Sequence, residues 1–152
     1  PFGFANGRLG TIFVSEAVGG APGASVLSSY RIRPNGEISL VDGSVGAGQS
    51  AACWVVVTKN GKYAYATNTA SNNLSTFNIN SFSGDIDVRE AVSAITPAGP
   101  IDAALTNNSK FLYVLNSGGN SISVFGVGGN GNLNPVELVG GLPQGATGLA
   151  AK

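Results

Sequence analysis

Self-similarity at a fixed period limits what this chain can fold into more than any other feature it carries. Asn72-Asn73-Leu74-Ser75-Thr76-Phe77-Asn78-Ile79 matches Asn120-Ser121-Ile122-Ser123-Val124-Phe125-Gly126-Val127, with Ser25-Val26-Leu27-Ser28-Ser29-Tyr30-Arg31-Ile32 as an earlier copy. Leu27, Leu74 and Ile122 stand 47 and then 48 residues apart. In each copy the aliphatic and aromatic residues fall on alternate or near-alternate positions, the period-2 pattern of a strand with one buried face.

Other segments keep the same spacing. Lys62-Tyr63-Ala64-Tyr65-Ala66-Thr67-Asn68 matches Lys110-Phe111-Leu112-Tyr113-Val114-Leu115-Asn116, and Thr11-Ile12-Phe13-Val14-Ser15-Glu16 is the diverged first copy. Trp54-Val55-Val56-Val57-Thr58 matches Asp102-Ala103-Ala104-Leu105-Thr106. A fourth short segment follows Gly36, Gly84 and Gly131 in turn: Glu37–Val41, Asp85–Val88 and Asn132–Val136. Each unit thus holds four short strands and no helical period, which predicts an all-β fold of β-propeller blades. A single blade cannot bury both of its faces, so neighbouring repeats must stack. A β-helix needs a much shorter period, and a sandwich would not repeat its sequence so regularly.

The expected organisation is blade 1 over about 1–45, blade 2 over about 46–97 and blade 3 over about 98–143. Pro1-Phe2-Gly3-Phe4-Ala5 and Ala146-Thr147-Gly148-Leu149-Ala150 both align with the first strand of the unit. Residues 144–152 are therefore expected to add one extra first strand. Three blades are fewer than the four to eight of closed rings. The expected arrangement is an open arc or part of a larger ring, with further blades supplied by another copy or a companion chain. The opening Pro1 and the lack of any Met fit a processed product or a fragment.

At Tyr65-Ala66-Thr67-Asn68 and Tyr113-Val114-Leu115-Asn116 the chain resembles the lactonase-like seven-bladed propellers. These include the 6-phosphogluconolactonase and 3-carboxymuconate cyclase relatives and the surface-layer propellers with a Tyr-Val-Thr-Asn repeat. The run Asn60–Asn68 followed by Leu74-Ser75-Thr76-Phe77 carries the resemblance, which extends over essentially the whole chain. It implies about seven blades, four of them N-terminal to this chain. It says little about activity, because the shared motif is architectural.

Residues common to all copies are read as structural, so departures from the repeat are the candidates for function. Asn68 and Asn116 close the second strand as turn-forming asparagines or as ligand contacts. Glu16 takes their place in the first copy, beside the longer loop Val18-Gly19-Gly20-Ala21-Pro22-Gly23-Ala24. It is either a solvated carboxylate in a tolerant loop or a functional group on the rim. Trp54 and Asp102 share a position that holds Gly3 and Gly148 at the chain ends, and Gln49, Ser50 and Cys53 precede Trp54. Trp54 could stack on a sugar ring or pack between blades; Asp102 could act as general base or bind backbone N–H groups. Glu16 and Asp102 are the weak catalytic candidates, and Glu16, Gln49, Trp54, Asn68, Asp102 and Asn116 the ligand-binding set.

Composition removes several chemistries. There is no His, so no Ser-His or Cys-His nucleophile pair and no His metal site is expected, and no metal or cofactor is implied. The lone Cys53 excludes an intrachain disulfide and reads as a small buried hydrophobe. Eight basic and eight acidic residues cancel, which argues against nucleic acid or an anionic membrane as partner. Arg8, Lys59, Lys62 and Lys110 fall in turns between first and second strands, on the rim away from Glu16 and Asp102. Only 11% of residues are charged, so Asn, Ser, Thr and Gly must supply the polar surface. That surface points to an extracellular or periplasmic protein. Two functions fit: a binding or scaffold module for a protein or carbohydrate ligand, and the C-terminal part of a lactonase- or cycloisomerase-like enzyme.

Overall fold

The computed structural model describes residues 1–152 and contains twelve strands. They form three antiparallel four-stranded sheets in simple sequence order. Blade 1 holds β1 (Phe4–Asn6), β2 (Thr11–Glu16), β3 (Val26–Ile32) and β4 (Ile38–Gly46). Blade 2 holds β5 (Ala52–Val57), β6 (Tyr63–Asn68), β7 (Asn73–Ile79) and β8 (Ile86–Ile95). Blade 3 holds β9 (Pro100–Leu105), β10 (Phe111–Asn116), β11 (Ser121–Val127) and β12 (Leu133–Gly140). The repeat read from the sequence is therefore a repeat of complete blades.

Turn chemistry sets the strand ends. Thr58 and Thr106 each donate a hydroxyl hydrogen bond to an asparagine two residues on, Asn60 and Asn108, at 2.8 and 2.9 Å. Those asparagine side chains in turn accept from the N–H groups of Lys62 and Lys110. The same Asx-type turn thus reverses the chain between first and second strands in blades 2 and 3.

Side-chain alternation then sorts residues between two interfaces. In β6, Ala64 and Ala66 point to blade 1 and join Phe13, Leu27, Val55, Phe77, Ile79 and Ile86 in one core cluster. Tyr65 points the other way and joins Leu74, Ala103, Leu112, Val114, Phe125 and Leu133 in a second. The first strands β1, β5 and β9 crowd together while contacts between the fourth strands are sparser, which gives the stack its wedge shape. Each large side chain buried this way contributes about 1.5–3 kcal/mol.

Two expectations change. The fourth strands run longer than their sequence pattern, because register shifts opposite Leu74–Phe77 and Leu27–Tyr30 break the alternation that would have marked them. Residues 144–152, expected to add an extra first strand, form no ladder. A first strand pairs only with the second strand of its own blade, and no fourth blade follows in this chain.

The glycine before each fourth strand shows the stacking directly. Gly131 and Gly84 have φ of +84° and +87°, and a Cβ there would lie 2.7 Å from the Tyr63 ring and 3.0 Å from Thr11 Cγ2. Gly36, the same position on the free face of blade 1, has φ +86° with nothing within 4 Å. Gly36→Ala should therefore cost only left-handed backbone strain, about 1–2 kcal/mol. Gly131→Ala should add an overpacking cost of about 1–3 kcal/mol. Urea unfolding of the two variants measures the difference.

Candidate functional site

The last residue of each second strand is tied to a serine on the third. Asn68 Nδ2 donates to Ser75 Oγ at 2.8 Å and Asn116 Nδ2 to Ser123 Oγ at 2.9 Å. Ser75 passes the bond on to the Ala91 carbonyl of the fourth strand at 2.7 Å. In blade 1, Glu16 has no proton to give in its ionised form, and the direction of the rung reverses. Ser28 Oγ donates to Glu16 Oε1 at 2.5 Å and accepts from the Ser44 N–H at 3.0 Å. Gly43 stands at the repeat position of Ala91, and Ser44, which follows it, has φ +57°. Blade 1 thus offers an N–H where blade 2 offers a carbonyl.

Gln49 joins this network. Its Oε1 accepts from Asn73 Nδ2 at 2.7 Å, and Asn73 Oδ1 accepts from Asn68 Nδ2 at 2.9 Å. The inserted loop of blade 1 docks beside it: the Gly23 N–H donates to Ser50 Oγ, the Ser25 N–H to the Gln49 carbonyl, and the Ala52 N–H to Ser25 Oγ. The insertion therefore clamps blade 1 to the loop that leads into blade 2.

Trp54 is half-buried between blades. Its indole packs against the cluster shared by blades 2 and 3, while its Cε3 would lie 2.9 Å from any Cβ on Gly3. Gly3 is thus required for the close approach of blade 1. The Trp54 N–H donates to Thr67 Oγ1, as the Gly3 N–H does to Ser15 Oγ. Leu115 replaces this hydroxyl in blade 3, and there the Asp102 carboxylate accepts from other backbone N–H groups. Asp102 Oδ1 accepts from the Ala103 N–H and Oδ2 from the Leu149 N–H, both at 2.7 Å.

Burial pushes the Asp102 carboxyl above its ordinary pKa, and the Ala103 and Leu149 N–H groups pull it part of the way back. Burial likewise raises the Tyr65 phenol, whose Oη donates to the Gly131 carbonyl at 3.0 Å.

The structure brings Gln49 and Asn68 together through Asn73. Glu16, Trp54, Asp102 and Asn116 sit in separate hydrogen-bond sets, and blade 2 lies between Glu16 and Asp102. No three Cys, Asp or Glu side chains converge. Sequence reasoning missed the partners that define these positions: Asn73, Ser75, Thr67 and Leu149. Their signal was present, since Ser28, Ser75 and Ser123 recur at one repeat position. On the opposite rim, Lys59, Lys110, Asn60, Asn108 and Ser109 line a cleft of about 360 Å³ between blades 2 and 3.

Residues 52–141, which make up blades 2 and 3, match the family described as lactonase, 7-bladed β-propeller. The chain belongs to this lactonase propeller family. Among solved structures it is similar to a functionally unknown protein from Desulfotomaculum acetoxidans, at 18% identity and a TM-score of 0.74. That match covers 91% of this chain and 41% of the other. The periplasmic gluconolactonase PpgL of Pseudomonas aeruginosa matches at 17% identity and a TM-score of 0.65, over 90% of this chain and 41% of its own. A candidate 6-phosphogluconolactonase from Bacteroides fragilis matches at 21% and 0.66, over 86% and 36%. No curated protein matches the chain. The chain spans about two-fifths of the length of these solved structures, and at such identities the likeness establishes the fold.

Two measurements test the site. Asn68→Ala should lower stability by about 2–3 kcal/mol by leaving buried Asn73 and Ser75 groups without their donor, whereas Glu16→Gln keeps an acceptor for Ser28 and should be near neutral. Asp102 titrates higher in the folded chain, so its contribution to stability is fullest below the ordinary carboxylate range. The stability of the native chain relative to Asp102→Asn should therefore fall as pH rises through the raised Asp102 pKa. Urea midpoints collected across that range check the sign.

Proposed function

We propose that this chain is a binding or scaffold segment of a lactonase-type propeller, with rim loops that contact a protein or carbohydrate ligand and no catalytic set of its own. One observation carries this reading: the polar rim candidates are engaged in building blades. Asn68 and Asn116 hold third strands, Gln49 anchors Asn73, and Glu16 substitutes for an asparagine in the same rung. The inserted loop Val18–Ala24 and the loops leading into β5 and β9 then form a surface of Gly, Ala, Ser, Pro and Gln. Such a surface recognises shape and hydrogen-bonding groups rather than charge, which suits an extracellular or periplasmic protein with few lysines.

A second reading is a portion of a lactonase- or cycloisomerase-like enzyme. Asp102 favours it, as a buried carboxyl of raised pKa where the innermost strand of blade 3 begins. Further blades would have to supply the remaining groups.

Hydrolysis of gluconolactone, followed by acid release, separates the two readings. The native chain, Glu16→Gln and Asp102→Asn are all expected to match the uncatalysed rate. A rate above background that Asp102→Asn abolishes would replace the binding reading with the enzyme reading. Titration calorimetry against neutral oligosaccharides supplies the positive arm, with binding expected to survive Glu16→Gln.

A further inference from the structure

We propose that the rim opposite the candidate site binds an acidic oligosaccharide, a sugar chain bearing carboxylates, across two adjoining clefts. The inference goes beyond the ligand reading above, concerns the other rim and does not depend on that reading.

One turn joins the two clefts. Lys59-Asn60-Gly61-Lys62 connects β5 to β6 in the middle blade. Lys59 and Asn60 border the cleft of about 360 Å³ between blades 2 and 3, with Tyr63, Asn108, Ser109 and Lys110. Asn60 and Lys62 border a second cleft of about 230 Å³ between blades 1 and 2, with Arg8 and Phe82. Each cleft thus receives two basic side chains, and no Asp or Glu lines either one. The chain is neutral as a whole, but this rim of first-to-second-strand turns is cationic.

The walls are fixed across the blade interfaces. The Lys59 N–H donates to Ser109 Oγ at 2.9 Å, which ties the turn of blade 2 to that of blade 3. Between blades 1 and 2, the Arg31 guanidinium donates to the Leu9, Phe82 and Ser83 carbonyls. The Arg8 stem lies over Gly61, where a Cβ would come within 2.7 Å of it.

Hydrogen bonding within the walls sets the sign of the ligand. Asn60 Oδ1 accepts from the Thr58 hydroxyl and the Lys62 N–H, and Asn108 Oδ1 from the Thr106 hydroxyl and the Lys110 N–H. The lining asparagines have therefore spent their acceptors. Arg31 and Arg89 are likewise engaged, the latter with Asn132. Arg8, Lys59, Lys62 and Lys110 have no such partner. What the clefts still offer is donors: these four cations, two amide Nδ2 groups and the Ser109 hydroxyl proton.

A ligand for such walls must bring acceptors and negative charge. Carboxylates with ring and hydroxyl oxygens do so. A peptide would bring N–H groups that find no free asparagine oxygen. Nucleobases need open aromatic faces, and the Tyr63 ring has Gly131 packed on it and Arg89 5.8 Å from its centroid. Phe82, 84% exposed, suits the apolar face of a sugar. One exposed ion pair contributes little, so the ligand must engage several cations together. A chain of acidic sugars running past Asn60 does this.

Calorimetric titration of the native chain with hexagalacturonate tests the proposal. Binding is expected, and it should weaken as salt is added. Lys59→Gln and Lys62→Gln, one for each cleft, should each weaken it about two- to fivefold, the contribution of one exposed ion pair. Arg33→Gln removes a charge from the same rim outside both clefts and should leave the affinity unchanged. Saturating maltohexaose, a neutral hexasaccharide, should not compete, which separates this site from the ligand surface of the other rim. Absence of binding would overturn the proposal. So would an equal loss in Arg33→Gln, a loss confined to one of the two lysine variants, or displacement by maltohexaose. A single-stranded oligonucleotide of equal charge that binds as tightly, with the same dependence on both lysines, would overturn it in favour of nucleic acid.

Discussion

A twisted four-stranded sheet with apolar side chains on both faces is stable only if something covers each face, and here that cover is the next copy of the same sheet. The burial pattern follows from this constraint. Blade 2 is covered twice, and β6 is buried along almost its whole length. In β2 of blade 1, burial alternates residue by residue, because Ile12 and Val14 face away from blade 2. Blade 3 shows the converse, with Leu112 and Val114 fully buried against blade 2 while Phe111 and Tyr113 stay accessible. Identical repeats therefore have unequal environments, set by their place in the stack.

The polar residues obey the same logic. Buried hydroxyl and amide groups need partners, and each blade links its second and third strands through one rung at the loop end. Where Glu16 replaces asparagine, Ser28 donates instead of accepting, and the positive φ of Ser44 turns an N–H toward it. An apparent break in the repeat is thus absorbed by the local backbone of the fourth strand. Asp102 behaves likewise: with Leu115 at the hydroxyl position, the carboxylate takes up backbone N–H groups, which offset part of the rise in pKa that burial imposes.

Much of the fold was legible because blade geometry repeats in sequence. Leu27, Leu74 and Ile122 mark the third strands, and the glycines Gly36, Gly84 and Gly131 mark the turns before the fourth. The fourth strands were less legible. They lie at the outer edge with many exposed residues, and bulges shift their alternation, so Glu90, Val92 and Ile95 carry no strand signature. The candidate site was legible as a set of positions and not as a set of contacts. That Gln49 meets Asn68 through Asn73, or that Asp102 reaches Leu149 across 47 residues, depends on how loops distant in sequence converge.

By itself the sequence determined the period, the four strands in each unit, the stacking of units and the family, because period-2 burial and turn residues act over a few neighbours. Tertiary structure alone decided which face of each blade is covered, which way each hydrogen-bond rung runs, and where residues 141–152 lie. The covered faces and the place of the last residues arise between blades, where partners are some fifty residues apart, and the rungs turn on the fourth-strand backbone of the same blade; local pattern carries no record of either.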